Sequence, residues 1–291
     1  TYDIIKPDIT APGVKILAAT TSAPMFGTQG ETFKYLQGTS MSSPHIAGMA
    51  ALFKESNSSW TPAQIKSALM TTARQDLTKE DGTTQADPYD FGSGHAEPVS
   101  ALDPGLLFDT NLADYLAFLC GQDKASFVEA YNTSCAELET AGFSSDASQL
   151  NLPSIAIAEL LDPETVFRTV SNATTAASSY TATIEAPAGI EVSVQTFDAA
   201  GNETPSSTLD IDGEGKASFA LTFTKTDAVQ VDTWNFGAIT WTDSAGHSVR
   251  LPLAIKAIPT VKIEVPEVIS GDLNRGRFRF PVKMLYSGST S

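Results

Sequence analysis

The sequence predicts an α/β domain followed by an all-β sandwich. The chain has 291 residues, more than a single domain usually contains. Its first third mixes short strand patterns with helical patterns, whereas from about residue 150 the apolar residues recur at every second position. With 42% apolar and 9% aromatic residues, the chain can bury proper cores. Two domains and part of a third are therefore expected.

The first third contains two short strand patterns and then a helix. Residues 14–18 and 33–36 are bounded by Pro, Gly and Thr, as strands usually are. A helix is predicted from about Ser40 to Glu55, because apolar residues recur there at i, i+3, i+4 and i+7. Its remaining positions are small or apolar, and a helix of that kind is normally buried.

Further helices are predicted downstream. A helix should begin after Thr61, since this N-cap residue is followed by Pro at the first helical position and Gln at the third. Residues from about 76 to 110 are rich in Asp, Gly and Pro and indicate a loop. Residues 112–119 and 125–131 favour two short helices around the two cysteines.

Alternating apolar residues after residue 150 predict an antiparallel β-sandwich of about a hundred residues. Its clearest strand patterns lie at residues 180–184, 190–194, 219–223, 239–241 and 249–255. The last two are separated by Asp-Ser-Ala-Gly, which indicates a hairpin. After Pro259 a further strand pattern occupies residues 261–265.

Charge and cysteine content narrow the classes of partner. The 18 Lys and Arg residues against 34 Asp and Glu give a net charge of -16, which argues against nucleic acid and anionic membranes as partners. The apolar run at residues 46–53 is too short to span a bilayer. This composition suits a soluble, exported protein. Spacing alone leaves open whether Cys120 and Cys135 pair or stay free.

The string GTSMSSPHIAG at residues 38–48 places three serines and a histidine at a predicted helix start. A serine hydroxyl becomes a nucleophile when a base takes its proton and donors hold the oxyanion that forms. Free N–H groups in the first helical turn favour negative charge there, and Gly38 lets a substrate backbone come close. However, a Ser/Thr cluster before an apolar helix is more often a simple N-cap. The residue types by themselves leave both interpretations open.

The same string closely resembles the nucleophile signature of the subtilisin-like serine proteases, which opens their central helix. Residues 6–13 (KPDITAPG) resemble the strand and turn that precede the signature, and residues 60–66 (WTPAQIK) match the helix that follows it. The resemblance implies that Ser40 is the nucleophile. It also implies that the Ser40 backbone N–H forms half of the oxyanion hole, with Thr39 in support.

The other polar residues of the string are given lesser roles. His45 lies five positions into the same helix as Ser40, which directs it away from the hydroxyl. In the resembled family this histidine is a packed structural residue, so His45 is not expected to be the base. Ser42 and Ser43 are expected to form hydrogen bonds at the helix start.

The resemblance continues along most of the chain. Three segments are similar to the part that closes the catalytic domain in large subtilases of the cucumisin-like, PA-containing type, at residues 90–95, 101–106 and 114–120. This similarity implies a disulfide between Cys120 and Cys135. Three later segments are similar to the fibronectin-III-like domain of those enzymes, at residues 152–156, 168–172 and 237–243.

Four regions are therefore expected. Residues 1–110 should be the C-terminal part of an α/β subtilisin-like catalytic domain, and residues 111–150 a helical connector that carries the disulfide. Residues 151–258 should form the all-β fibronectin-III-like sandwich. Residues 259–291 should be a linker or the start of another β domain.

The family's remaining catalytic strings do not occur in this sequence. The triad Asp and His and the oxyanion-hole Asn are missing, and neither His95 nor His247 has a matching context. We therefore expect an N-terminal portion of the same protease to supply them, and residues 1–110 to expose large apolar faces without it. The helix from Ser40 and the strand near residue 14 should then belong to a parallel sheet with upstream strands.

Two functions compete at this stage. The first is a secreted serine endopeptidase that cleaves polypeptides through an acyl-enzyme on Ser40, with this chain inactive alone. It needs no metal or other cofactor, and whether the acidic loops bind calcium stays open. The alternative is a non-catalytic binding or structural module whose protease part is an inactive remnant.

Overall fold

The computed structural model describes residues 3–198, 200–204, 207–264 and 283–287. Its α-helices are α1 (Thr39–Ser56), α2 (Pro62–Thr71), α3 (Pro88–Phe91), α4 (Leu112–Cys120), α5 (Ala125–Glu129) and α6 (Cys135–Thr140). Its strands in the first half are β1 (Ile16–Ala19), β2 (Phe33–Leu36) and β3 (Leu106–Phe108). The later strands are β4 (Ile155–Leu160), β5 (Glu164–Asn172), β6 (Ser178–Glu185), β7 (Ile190–Phe197), β8 (Thr208–Ile211), β9 (Lys216–Lys225), β10 (Trp234–Thr242), β11 (Ser248–Ala257), β12 (Thr260–Glu264) and β13 (Lys283–Ser287).

The strands β1 and β2 form an antiparallel hairpin, with Ile16 opposite Leu36 and Ala19 opposite Phe33. This pairing uses one edge of β1, and the expected parallel sheet with upstream strands stays a prediction. The strand also begins two residues later than predicted, because Lys15 has a φ of 54°, outside the extended region. The hairpin ends three residues before α1 begins.

Helix α1 confirms the predicted helix, with one additional residue at each end. One side of it packs on α2 through Phe53, which joins Trp60, Ile65 and Leu69 in an apolar cluster. The opposite side is exposed, and Leu52 on it is 61% exposed. Burial all round, as the sequence predicted, does not occur among the described residues because nothing there packs on that side.

Helix α2 begins with the predicted capping box. The Thr61 hydroxyl accepts a hydrogen bond from the Gln64 N–H (3.1 Å), and the Gln64 side chain accepts one from the Thr61 N–H (2.9 Å). The Thr61 hydroxyl also donates to Asp109 (2.7 Å), while Ser67 Oγ accepts from the Phe108 N–H (2.9 Å). These bonds attach α2 to β3 and the residue that follows it.

The region predicted as loop contains more structure than the sequence suggested. Asp87 caps the short helix α3, a 3₁₀ turn occupies Ser100–Leu102, and β3 follows. Strand β3 pairs antiparallel with β5, so it belongs to a sheet of the sandwich. Composition indicated a loop here because these elements are only three or four residues long.

The connector contains α4, α5 and α6 around a small core of Leu116, Val128 and Leu138. Cys120 and Cys135 form a disulfide with an S–S distance of 2.08 Å, as the resemblance implied. Helix α5 is two residues shorter than predicted, and α6 has no counterpart in the predicted elements. The asparagine and serine N-caps of α4 and α6 are each part of a capping box.

The sandwich consists of two sheets with strand orders β4-β11-β10-β6-β8 and β3-β5-β9-β7. Strand β4 pairs parallel with β11, whereas the other neighbours in both sheets are antiparallel. The side chains of Trp241, Phe219 and Phe223 fill its core. The predicted hairpin is confirmed as β10–β11. Strands β4, β5 and β8 were missed by the sequence analysis.

The last described elements, β12 and β13, pair antiparallel. The predicted strand at residues 261–265 corresponds to β12 except for Val265, which lies outside the described residues, as does most of the predicted region 259–291. No helix in the described part of the chain is long and apolar enough to cross a membrane.

Candidate active site

The structure places Thr39 and Ser40 as the first two residues of α1, directly after the N-cap Gly38. Gly38 has a φ of 130°, a conformation that favours glycine, and its carbonyl accepts from the Met41 N–H (3.0 Å). Ser40 is exposed. Neither its hydroxyl nor its N–H has a hydrogen-bond partner among the described residues. Ser40 therefore presents a free hydroxyl and a free N–H at the positive end of a helix.

A second segment holds this helix start in place. The Ser42 hydroxyl donates to the Ala11 carbonyl (2.8 Å) and accepts from the Ala11 N–H (3.2 Å). Two residues on, the Gly13 carbonyl accepts from the Gly38 N–H (2.8 Å). A Cβ on Gly13 would lie 3.0 Å from the Gly38 carbonyl oxygen, so glycine permits this close approach. The turn at residues 11–13 thus fixes the backbone on both sides of Ser40.

Ser42 forms hydrogen bonds at the helix start, as predicted, whereas Ser43 forms none in the described structure. Helix α1 has no side-chain cap hydrogen bond, so neither serine caps it. Ser42 instead binds a turn 31 positions earlier in the chain. Ser43 is exposed, and none of the hydrogen bonds found in the described residues involves its hydroxyl.

The segment leading into the turn is itself anchored. Thr10 lies between residues 94 and 96, donating its N–H to the Gly94 carbonyl (2.9 Å) and accepting from the Ala96 N–H (2.9 Å). Asp8 forms ion pairs with Lys6 and Lys66, both at 2.7 Å. Burial raises the pKa of Asp8, but hydrogen bonds and charge from the two lysines outweigh it and lower the pKa below its ordinary value. The carboxylate therefore stays ionised and links the segment to α2.

His45 does not serve Ser40. Its ring Nδ1 lies 2.8 Å from the Met41 carbonyl oxygen, one turn earlier in the same helix. Since a carbonyl only accepts, Nδ1 must carry the proton in this contact. His95 is engaged elsewhere, with its Nδ1 3.1 Å from the Ala96 carbonyl oxygen. Neither histidine has a hydrogen bond to Ser40 in the part of the chain described.

The third histidine belongs to a cluster that the sequence analysis missed. His247 lies between two carboxylates, with Nδ1 2.7 Å from Asp243 and Nε2 3.2 Å from Asp103. Ser178 donates to the same Asp243 oxygen (2.9 Å). In a catalytic triad the serine hydroxyl contacts the imidazole, which acts as its base. Ser178 contacts the carboxylate of Asp243 instead, so this cluster is not arranged as a nucleophile with its base. The sequence signal that could have indicated this cluster is Asp243 four residues before His247, on the two sides of the predicted hairpin turn.

The β1–β2 hairpin and helix α1 expose large apolar side chains. Five of these side chains are at least 61% exposed. They are Val14, which lies two residues before β1, Leu17, Phe33 and Tyr35 of the hairpin, and Leu52 of α1. Met25 and Phe26, in the connection between β1 and β2, are 89% and 87% exposed. Exposed apolar side chains of this size and number mark an interaction site. Within the described residues, no group of three or more His, Cys, Asp or Glu side chains could hold a metal ion.

Comparison with protein families agrees with the two parts of the fold. Residues 2–94 match the model of the subtilase family, and residues 149–255 match that of a fibronectin type-III domain. The subtilisin-like protease SBT3.8 of Arabidopsis thaliana is 38% identical over 264 residues, covering 87% of this chain and 32% of the relative. The subtilisin-like protease Glyma18g48580 of Glycine max is also 38% identical, and the alignment covers 87% of this chain and 32% of that protein. The subtilisin-like protease SBT2.6 of Arabidopsis thaliana is 38% identical, and the alignment covers 86% of this chain and 31% of that protein.

The chain thus spans about a third of the length of these curated relatives. Among solved structures, the PapD-like domain of human CEP192 aligns with 36% of this chain and 81% of its own at 14% identity. Its TM-score of 0.25 is too low to support a fold assignment.

Proposed function

This chain belongs to the subtilase family, and we propose that it carries the nucleophile of a serine endopeptidase, Ser40. The observation that carries the proposal is the state of Ser40. Its hydroxyl and N–H are both free at the start of a helix whose backbone is fixed from outside. A structural N-cap serine would instead use its hydroxyl to accept a backbone N–H of its own helix.

The chemistry follows from these two free groups. Ser40 Oγ attacks the carbonyl carbon of a peptide bond while a base takes its proton. The carbonyl oxygen becomes an oxyanion, for which the Ser40 N–H and the helix N-terminus supply a donor and positive potential, with Thr39 in support. The C–N bond then breaks as the amine takes the proton, leaving an ester on Ser40. Water hydrolyses that ester in the reverse sense and regenerates the hydroxyl.

The base, its orienting carboxylate and the second oxyanion donor must come from outside the described residues. We propose that an N-terminal portion of the same protease supplies an Asp, a His and an Asn, and that it packs on the exposed apolar side chains of the hairpin and α1. The exposed side chains of β1, β2 and α1 are the support for this partner. Without it, the chain should be inactive.

The remaining features of the proposal are consistent with this chemistry. The substrate is a polypeptide, and the acyl-enzyme steps require only protein groups and water. The disulfide between Cys120 and Cys135 favours an oxidising compartment, so we propose a secreted enzyme. The fibronectin type-III part is proposed to pack against the catalytic part, to which β3 and α2 already connect it.

A fluorophosphonate probe tests the nucleophile directly. The protein that includes the upstream portion should be labelled at Ser40, and Ser40→Ala should abolish labelling. Ser43→Ala is the matched control, since Ser43 is an exposed serine in the same helical turn without a hydrogen bond in the described structure. His45→Gln should retain labelling, because His45 contacts its own helix.

The outcomes separate the two candidate functions. Labelling that persists in Ser40→Ala would refute the nucleophile assignment. Absence of labelling in the protein with its upstream portion would favour the alternative, a binding or structural module with an inactive remnant. Labelling of the chain alone would show that the missing base is not required from outside.

A further inference from the structure

We propose that His247 is a pH-sensitive latch, which binds the segment Asp103–Gly105 to the end of the sandwich in acid and releases Asp103 as the pH rises. Asp103 follows the 3₁₀ turn Ser100–Leu102 and lies between the two regions that match family models. His247 lies inside the fibronectin type-III match, at the end of the β10–β11 hairpin. The latch thus joins the sandwich to the chain that enters it from the subtilase part.

The two ring nitrogens of His247 identify the protonated state. Each faces a carboxylate oxygen, Asp243 at 2.7 Å and Asp103 at 3.2 Å. An ionised carboxylate only accepts hydrogen bonds, whereas a neutral imidazole has one donor and one acceptor nitrogen. Only the doubly protonated imidazolium can donate to both carboxylates at once. The hydrogen bond to Asp243 and the ion-pair contact with Asp103 therefore fit the imidazolium, which we take as the closed form of the latch.

The two carboxylates differ in a way that decides which contact breaks. The Asp243 side chain is 1% exposed and also accepts from the Ser178 hydroxyl and from the backbone N–H groups of residues 245–247. The Asp103 side chain is 74% exposed. A neutral imidazole keeps its single proton on Nδ1, because an unpaired carboxylate costs far more when buried than in water. Deprotonation therefore releases Asp103 and leaves Asp243 bound.

The charged and titratable groups around the ring agree with this direction. Burial lowers the pKa of His247, but hydrogen bonds and charge from Asp243 and Asp103 outweigh it and raise the pKa above its ordinary value. Burial opposes ionisation of Asp243 as well, yet the bonds from His247 and Ser178 lower its pKa to about 2. From β6, Tyr180 stays neutral, since burial and the two carboxylates raise its pKa.

The segment held by the latch fits closely against the hairpin. Gly105 has a φ of 75°, and a Cβ on it would lie 2.7 Å from the His247 Cβ and 2.5 Å from the Tyr180 hydroxyl. The Gly105 carbonyl accepts from the Ala173 N–H (2.8 Å), and β3 continues into the sheet. These backbone bonds limit release to a loosening of the turn, so the joint changes in mobility without detaching.

The sign of the pH dependence follows from the raised pKa. A histidine whose pKa is higher in the folded protein stabilises it fully below the unfolded value, about 6.5. That contribution is lost as the pH rises through the folded value. The latch is therefore closed in acid and open in alkali.

The test is a histidine NMR titration of the full chain, which has only three histidines. Asp103→Asn removes one charge at a largely exposed position and should lower the pKa of His247 by about half a unit, as expected for one exposed ion pair. Asp227→Asn is the matched control, since it makes the same charge change in the exposed connection at the other end of β10. It should leave the His247 titration unchanged.

Amide exchange of Ala173 reports the latch itself, because its N–H binds the Gly105 carbonyl. After correction for the intrinsic rate, its protection should fall about threefold as the pH rises through the His247 titration. In Asp103→Asn and in His247→Gln the corrected protection should be independent of pH. An unchanged His247 pKa in Asp103→Asn, or the same fall in protection in every variant, would overturn the proposal.

Discussion

Replacing Ser42 by alanine tests how the helix start that carries Ser40 is held. The Ser42 hydroxyl makes two hydrogen bonds with the backbone of Ala11, one as donor at 2.8 Å and one as acceptor at 3.2 Å. Both are lost in Ser42→Ala, and no other side chain in the described structure binds these groups. At about 1 kcal/mol net for each bond, the contact weakens by about 2 kcal/mol, which is about a 30-fold change in its opening equilibrium.

The Gly38 amide is the reporter, because its bond to the Gly13 carbonyl (2.8 Å) spans the same contact but is not itself removed. In Ser42→Ala its hydrogen exchange should accelerate by up to about 30-fold. Ser43→Ala should leave it unchanged, since Ser43 is exposed in the same turn. Equal exchange rates in the two variants would refute the view that Ser42 holds the helix start. In the protein with its upstream portion, Ser42→Ala should also slow probe labelling of Ser40.

Three further predictions concern the sandwich and the connector. Gly105→Ala should destabilise the protein by more than about 1 kcal/mol in denaturant unfolding, because φ is 75° and the new Cβ would lie 2.5 Å from the Tyr180 hydroxyl. Reduction of the Cys120–Cys135 disulfide, which closes a loop of 15 residues, should lower stability by about 3 kcal/mol in calorimetry; an equal melting temperature before and after reduction contradicts this. Arg168→Met should cost about 3 kcal/mol in the same unfolding assay, since the buried guanidinium donates to three backbone carbonyls. A loss below about 1 kcal/mol would mean that these carbonyls find other donors.

Elements with short-range signals could be predicted from the sequence. The spacing of Thr61 and Gln64, three residues apart, predicted the start of α2, and the capping box forms as expected. The helical spacing of apolar residues from Ile46 to Phe53 predicted α1. The alternation of apolar and polar residues in β6, β7, β9, β10 and β11 predicted the sandwich. In each case the information lies within a few residues, because helical caps and side-chain periodicity are local properties.

Elements that depend on distant partners could not be predicted. Strand β5 contains Arg168, which is buried in the structure. Arginine is normally exposed, so its position in the sequence did not indicate a buried strand residue. Its charge is tolerated because the carbonyls of residues 152, 154 and 167 accept its hydrogen bonds, and burial lowers its pKa to about 9. Strand β3 could not be predicted either, because it has only three residues in a region whose composition indicated a loop. It is stabilised by pairing with the distant strand β5.

The sequence alone predicted that Ser40 stands at the start of a helix, in a string that resembles the subtilase nucleophile signature, and that His45 is directed away from the Ser40 hydroxyl. It also determined the change from helical to alternating patterns near residue 150. Only the tertiary structure decided that Ser42 binds Ala11 and that His247 lies between Asp103 and Asp243. The physical reason is the range of the interactions. Backbone propensity acts between neighbours in the chain, whereas hydrogen bonds and ion pairs act between whatever groups the fold brings together.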